Sequence, residues 1–337
     1  MYYFVLVDAE LLELKSGLRL SKRAAFAKGT SKNLNIQWRA FLLFCIYFDL
    51  QWLPTNVDVL CLYAQFLSKT FKATSSINNY ISGVKLFHIL LDTPCPAFGN
   101  IELKMAVRGI GRLNPHCPRQ ASPIDPHILL KINSKLDLSN PIHATFWGLF
   151  LTAFFTWSRK SNLVVTGSDK FDPDKQLCRH DIIMGSNGVL VQFRWTKTIQ
   201  FGQRVLKVPL VAIPGSPLCP LVALRNMIRL VPGSGEDPAF MIKEHGLPIP
   251  ISYAALQKFI KACIASVGLE PESFSSHSFR RGGATWAFRS DVPADLIKVH
   301  GDWASQAYMR YLDFSLDQRL EVATRMVDRI VKGELVH

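Results

Sequence analysis

Within "HSFRRGGATW" (277–286), His277 and Arg280 stand three residues apart, behind two serines, Ser275 and Ser276, that suit a helix start. On a helix that spacing puts both side chains on one face. The unbonded N–H groups of a first helical turn add an affinity for anions. A guanidinium meets phosphate oxygens as a two-pronged fork, so two arginines and a histidine here have the composition of a phosphate grip. Thirty-one residues after Arg280, the stretch "GDWASQAYMRY" ends in Tyr311. A tyrosine brought to the same phosphate can attack phosphorus and leave a phosphotyrosine link. Two cations precede the set: Arg159 in "WSRKSN", at the end of an apolar helix, and Lys197 in "TKT", at a hairpin tip. Taken singly, Arg159 and Lys197 read as surface charges and "HSFRR" as a helix lying along a nucleic-acid backbone. Tyr311 alone reads as a half-buried aromatic, with Tyr308 as its rival one turn earlier.

The elements that must position these groups are legible in part. "HDIIM" (180–184) and "GVLVQFRW" (188–195) flank the turn signal "GSNG", and "RVLKVPLV" (204–211) follows "TKTIQFGQ". In the second run Val189, Val191, Phe193 and Trp195 alternate with Leu190, Gln192, Arg194 and Thr196. Three antiparallel strands with Lys197 on the second connection are expected. Elsewhere the period is helical. Leu34, Trp38, Phe41, Leu42, Cys45 and Phe48 mark a helix capped at Thr30 or Ser31. "LPTNVDVLCLYAQFLSKTF" predicts a second, capped at Thr55 or Asn56, and "TSSINNYISGVKLFHILLD" a third, capped near Ser75. "NIELKMAVRGIGRLN" predicts a fourth, weakened by Gly109 and Gly111. The stretch 112–127 carries four prolines and no regular period. The expected organisation is therefore a helical domain over 15–115, a linker over 116–124, and a mostly helical domain over 125–337 with one small sheet. After "PGSPLCP" (214–220) helix is expected to the end, where Leu316, Leu320, Ala323, Val327 and Ile330 recur at helical spacing. That last helix would pack on its own domain or dock on a neighbouring copy.

Composition narrows the partner. The 337 residues carry a net charge of +13, a field that attracts polyanions, nucleic acid first among them. From Arg19 to Phe48 there are six Lys or Arg and no acid: Arg19, Lys22, Arg23, Lys28, Lys32 and Arg39. With Lys69, Lys72 and Lys85, these are the candidate phosphate contacts of the N-terminal domain. The seven scattered cysteines form no CxxC pair, so neither a zinc site nor a disulfide framework is expected, and a reducing compartment fits. The opening "MYYFVLVDAELLELK" lacks the basic start of a signal peptide. The longest apolar run, "ATFWGLFLTAFFTW", has 14 residues, which suits a buried helix better than a membrane span.

The ordered set Arg159, Lys197, His277-x-x-Arg280, Trp303 and Tyr311, with the three strands and the helical first domain, resembles the tyrosine recombinase (phage integrase) family over nearly the whole chain. "RHDI", "TKT" and "GDWASQAYMRY" look closest to recombinases of eukaryotic mobile elements of the DIRS and Crypton kinds. The resemblance implies a DNA breaking-rejoining fold: a helical, SAM-like core-binding domain followed by an α+β catalytic domain. It implies site-specific cleavage and rejoining of double-stranded DNA through a 3′-phosphotyrosine, on a homo-tetramer of synapsed sites, without metal or cofactor. Arg159 and Arg280 would hold the scissile phosphate, Tyr311 would attack, Lys197 would protonate the leaving oxygen, and His277 would help move the tyrosine proton. If the origin is eukaryotic the compartment is the nucleus, and otherwise the cytoplasm or nucleoid. The alternatives are a DNA-binding descendant without chemistry and a type IB-like topoisomerase. Two positions depart from the family's pattern. Asn162 stands where an acid is common three residues after the first arginine. Ungapped counting puts Asp302 at the position of a phosphate-donating His or Trp. Trp303 takes that role by the resemblance, because an indole N–H donates and an ionised carboxylate cannot, with His300 as the second choice.

Overall fold

The computed structural model describes residues 2–94, 96–117, 120–166, 171–311 and 316–331; the side chains of 2–9, Lys28, Glu244, Arg310, Tyr311 and several residues of the last helix lie outside that description. The chain divides into two compact units, 1–119 and 120–337.

The first unit is helical: α1 (Tyr2–Ala24), α2 (Lys28–Tyr47), α3 (Val57–Ser68), α4 (Thr74–Leu90) and α5 (Ile101–Leu113). Its core takes one apolar stripe from each of four helices. Phe41, Phe44 and Cys45 come from α2, Leu60, Tyr63 and Ala64 from α3, Ile77, Ile81 and Val84 from α4, and Leu103, Val107 and Ile110 from α5. Asn56 and Asn100 cap α3 and α5, accepting from Val59 N and Glu102 N. The expected cap of α2 is corrected: that helix starts at Lys28, ahead of Thr30 and Ser31, with no side-chain cap. Helix α1 has no counterpart among the expected elements. Among its described side chains Leu11, Leu12, Leu14, Leu18 and Leu20 are all exposed, so residues 10–24 show no buried apolar stripe.

The second unit begins inside the proline-rich stretch expected to be a linker. Ser122 N donates to Ser273 O (2.7 Å), Ile124 N donates to Ser278 O (3.0 Å), and Ile124 is fully buried. Next come α6 (Pro126–Asn133), α7 (Pro141–Thr156) and a single turn, α8 (Lys160–Leu163). Helix α7 holds most of the longest apolar run and is buried on almost every side, which is why it shows no polar stripe. Among the described residues no helix is long and apolar enough to cross a membrane.

Strands β1 (Ile182–Met184), β2 (Gly188–Phe193) and β3 (Leu206–Val211) form the expected antiparallel sheet, with Val191 opposite both Ile182 and Val208. Val189, Val191 and Phe193 face the core, as their alternation requires. Strand β2 stops two residues short of Trp195. Then follow α9 (Pro220–Leu230), β4 (Met241–Glu244), β5 (Leu247–Pro250), α10 (Tyr253–Ser266), α11 (His277–Arg289), α12 (Ala294–His300), a 3₁₀ segment Gln306–Tyr311, and α13 (Leu316–Val331). The β4–β5 hairpin corrects the expectation of uninterrupted helix after Pro220. Its two-residue turn is His245–Gly246, both at positive φ (49° and 80°), as the twist of a two-residue hairpin requires.

Candidate functional site

Helix α7 ends at Trp157, whose left-handed backbone (φ 49°) turns the chain sharply. Two residues later Arg159, half-buried and extended, stands at the N-cap of α8. The Trp157 ring stays in a small apolar cluster with Ala284, Ile297, Trp303 and Tyr308, so the turn is held from the inside.

Helix α11 approaches this turn closely, and "RRGG" explains how. A Cβ on Gly282 would lie 1.8 Å from Ile124 O, and one on Gly283 would lie 2.2 Å from Phe154 O and 2.3 Å from the Trp157 indole. Only glycines permit that approach. It delivers Arg280, which is buried, to the end of α7. The Arg280 guanidinium donates to Trp157 O and to Gly301 O (2.8 Å) and lies 4.1 Å over the Trp303 ring. Two carbonyls and a stacked indole fix its plane. Arg281 takes no part, donating instead to Gln120 Oε1 and Ala121 O.

Arg159 and Arg280 line one cleft with Asn162, Thr196, His300 and Asp302. His277, exposed at the first turn of α11, belongs to the same neighbourhood. Desolvation, then the charges of Arg280, Lys160 and Arg159, hold its ring below the ordinary histidine value. Lys160 carries no signal in the sequence beyond its adjacency to Arg159. Its ammonium lies 3.4 Å from the Tyr253 ring centre. His300 lines the cleft with its Nε2 donating to Phe155 O (2.8 Å) and its ring 4.2 Å from Trp157; burial lowers its pKa.

Lys197 is exposed in a tight turn of the β2–β3 connection, closed by two backbone bonds between Thr196 and Ile199 (3.0 and 3.2 Å). Asp302, buried and at positive φ (52°), accepts from Thr196 Oγ1 (2.7 Å), Thr198 Oγ1 and Arg204 Nη2. Burial would raise its pKa, but these donors outweigh burial and hold the carboxyl below the usual aspartate range. Asn162 is buried and donates its Nδ2 to Trp195 O (2.7 Å), a bond that an ionised acid there could not make. Both departures from the family pattern thus serve the connection that carries Lys197.

Trp303 is buried between Arg280 and Tyr308, 6.0 Å from the latter ring. Tyr308 itself is buried in the Trp157 cluster. The backbone of Tyr311 ends the 3₁₀ segment, and its side chain lies outside the described residues. In the first unit Arg19, Arg23, Lys32, Arg39, Lys69, Lys72 and Lys85 are exposed or half-buried, while Lys28 is outside the described side chains. Lys22 differs from expectation. It is half-buried and pairs with Asp92 (2.8 Å), which also lies 3.8 Å from Arg19. The acid that the basic stretch lacks is supplied from beyond α4.

A second cluster of ligand-type side chains sits at the sheet's other corner. Cys178, His180 and Glu236 come within 4.8 Å of one another. Arg194 donates there to Cys178 Sγ (3.4 Å) and to Asp181 (2.9 Å), and His180 Nδ1 lies 2.8 Å from Gly235 O.

No protein-family profile matches the sequence, and no curated protein does. Solved structures match. XerH site-specific recombinase, in a post-cleavage complex with a palindromic difH substrate, aligns with a TM-score of 0.58 at 17% identity, over 81% of this chain and 70% of that one. The Tn1549 transposon integrase in complex with transposon right end DNA aligns at 0.56 and 13% identity, over 81% and 86%. A lambda integrase dimer bound to a COC′ core site aligns at 0.54 and 14% identity, over 89% and 77%. The fold is that of these recombinases and integrases: mainly helical, with a small three-stranded antiparallel sheet.

Proposed function

We propose that this chain is a tyrosine-type DNA strand transferase that carries out site-specific recombination or integration. The observation that supports it most is the convergence of Arg159, Arg280 and the Asp302-anchored loop of Lys197 on one cleft, with His277 beside it, on a recombinase fold. Double-stranded DNA is the substrate. Arg159 and Arg280 neutralise the non-bridging oxygens of the scissile phosphate and the extra charge of the five-coordinate transition state. The Tyr311 oxygen attacks phosphorus. The bond to the 5′ oxygen breaks as Lys197 gives that oxygen a proton, leaving a 3′-phosphotyrosine and a 5′-hydroxyl. His277, held largely neutral at pH 7, accepts the tyrosine proton. Attack by a new 5′-hydroxyl reverses the step and rejoins strands without ATP. Trp303, stacked on Arg280, supplies an indole N–H to the phosphate.

Tyr311 is preferred to Tyr308 because the latter is packed in an apolar cluster. The sequence "GDWASQAYMRY" favours a mobile-element recombinase of the DIRS or Crypton kind, acting as a homo-tetramer on synapsed sites in a nucleus. The test is a suicide duplex nicked beside the cleavage site, in EDTA. Wild type forms a covalent protein–DNA adduct, Tyr311→Phe binds DNA but forms none, and Tyr308→Phe retains the adduct. An adduct in Tyr311→Phe refutes the assignment. A requirement for an inverted repeat separates recombination from topoisomerase-like relaxation.

A further inference from the structure

Asp302 stands where an ionised carboxylate would repel a phosphate, yet it is buried at the rim of the phosphate cleft. Its three donors all come from the β2–β3 connection, and they bracket Lys197. Thr196 precedes it, Thr198 follows it, and Arg204 closes the loop. Thr196 Oγ1, while donating to Asp302, accepts from the N–H groups of Thr198 and Ile199 (both 3.1 Å). The carboxylate therefore fixes the hydroxyl around which the turn is wound. On its other side Asp302 is bonded in sequence to Trp303, which stacks on Arg280, and to Gly301, whose carbonyl holds the same arginine.

The connection is also held by Asn162 Nδ2 on Trp195 O (2.7 Å), by the fully buried Ile199 and by Gln200 Nε2 on Lys197 O (2.7 Å), but of these anchors Asp302 is the one that bonds side chains on both flanks of Lys197. Residues 200–205 are exposed, Phe201 to 86%. A general acid has to meet the leaving oxygen within hydrogen-bond reach. An unanchored lysine on such a loop would sample many positions.

We propose that Asp302 is the positioning residue for Lys197, a carboxylate that registers the proton-donating loop against the arginine-bearing cleft. This rests on the strand-transferase reading and on Lys197 as its general acid. Asp302 touches no reacting atom. It replaces a phosphate donor by an anchor, and its constant negative charge is what draws two hydroxyls and a guanidinium to one point.

The test uses the full-length protein, an ordinary nicked duplex, and the same duplex with sulfur replacing the 5′ bridging oxygen, a leaving group that needs no proton. Asp302→Asn is expected to slow cleavage of the ordinary duplex by about 100-fold, the scale of a misplaced catalytic group. On the sulfur substrate the loss is expected to be small, as for Lys197→Ala, and Asp302→Asn with Lys197→Ala should be no slower than Lys197→Ala alone. Thr198→Val, at an exposed position that leaves folding intact, should give a smaller loss with the same substrate preference. Equal losses on both substrates, or multiplicative losses in the double variant, overturn the proposal. Wild-type protein that forms no adduct on either substrate overturns the strand-transferase reading itself.

Discussion

His277 is a residue whose surroundings set its working range. Its folded pKa lies below the ordinary value of about 6.5, so the unfolded chain takes up the proton first as pH falls. Stability from the neutral ring is complete above about pH 6.5 and is lost as pH drops through the folded pKa. Adduct formation should therefore persist below pH 6.5. In Lys160→Met, one of the flanking charges is gone, and the acid limb of the pH–rate profile should move up toward 6.5; a profile unchanged by this variant would detach Lys160 from His277. Asn162 offers a second measurement at this scale. In Asn162→Asp the carbonyl of Trp195 faces a carboxylate, and the denaturation midpoint should fall by the equivalent of about 1–3 kcal/mol at pH 7. His277, Arg280 and Arg159 were picked out because their chemistry depends on type and spacing, and the structure sets Arg159 and Arg280 on one cleft with His277 near them. The sequence left the part of Asp302 unreadable, because a carboxylate's partners a hundred residues upstream leave no local pattern.

Among the elements, α5 and α11 carry glycines with opposite meanings. Gly109 in α5 has nothing within 4 Å of an added Cβ, so Gly109→Ala should raise the stability of the first unit by about 0.5–1 kcal/mol. Gly282 in α11 would press a Cβ into the Ile124 backbone, so Gly282→Ala should destabilise the second unit by about 1–3 kcal/mol or more. Thermal denaturation of the two variants side by side checks both signs. The three-stranded sheet was legible because one face is buried, which writes a period of two into β2. The β4–β5 hairpin was not: both residues Leu247 and Pro248 at the start of β5 are exposed, and no alternation survives. Helix α1 escaped for a related reason, since its described stretch 10–24 exposes its leucines and shows no apolar stripe.

At the scale of the whole molecule the excess of positive charge gives a nucleic-acid partner its first attraction, but the geometry refines which cations count. Asp92 already engages Lys22 and lies near Arg19, whereas Arg23, Lys32 and Arg39 are exposed. Replacing the latter three by Gln should weaken binding to all DNA sequences and flatten the log–log salt dependence by up to about 0.9 for each phosphate no longer neutralised. Unchanged affinity and slope would mean that this face meets solvent. The chain divides at 119/120, inside the proline-rich stretch, and where the second unit begins was not legible, because Ser122 and Ile124 are fixed by partners on the far side of the sequence. The same remoteness governs the cleft. Arg280 is bonded to Trp157 across 123 residues, and Asp302 to Thr196 across 106. Contacts of such separation form late, after the chain ends of large loops have been brought together. A nascent polypeptide that has reached α11 but not the Gly301–Trp303 turn carries every cation of the site, yet lacks the Gly301 carbonyl and Trp303 ring that hold Arg280 and the Asp302 carboxylate that anchors the Lys197 loop. If the proposed strand-transferase reading holds, DNA cleavage is withheld during synthesis until the Gly301–Trp303 turn has joined the cleft.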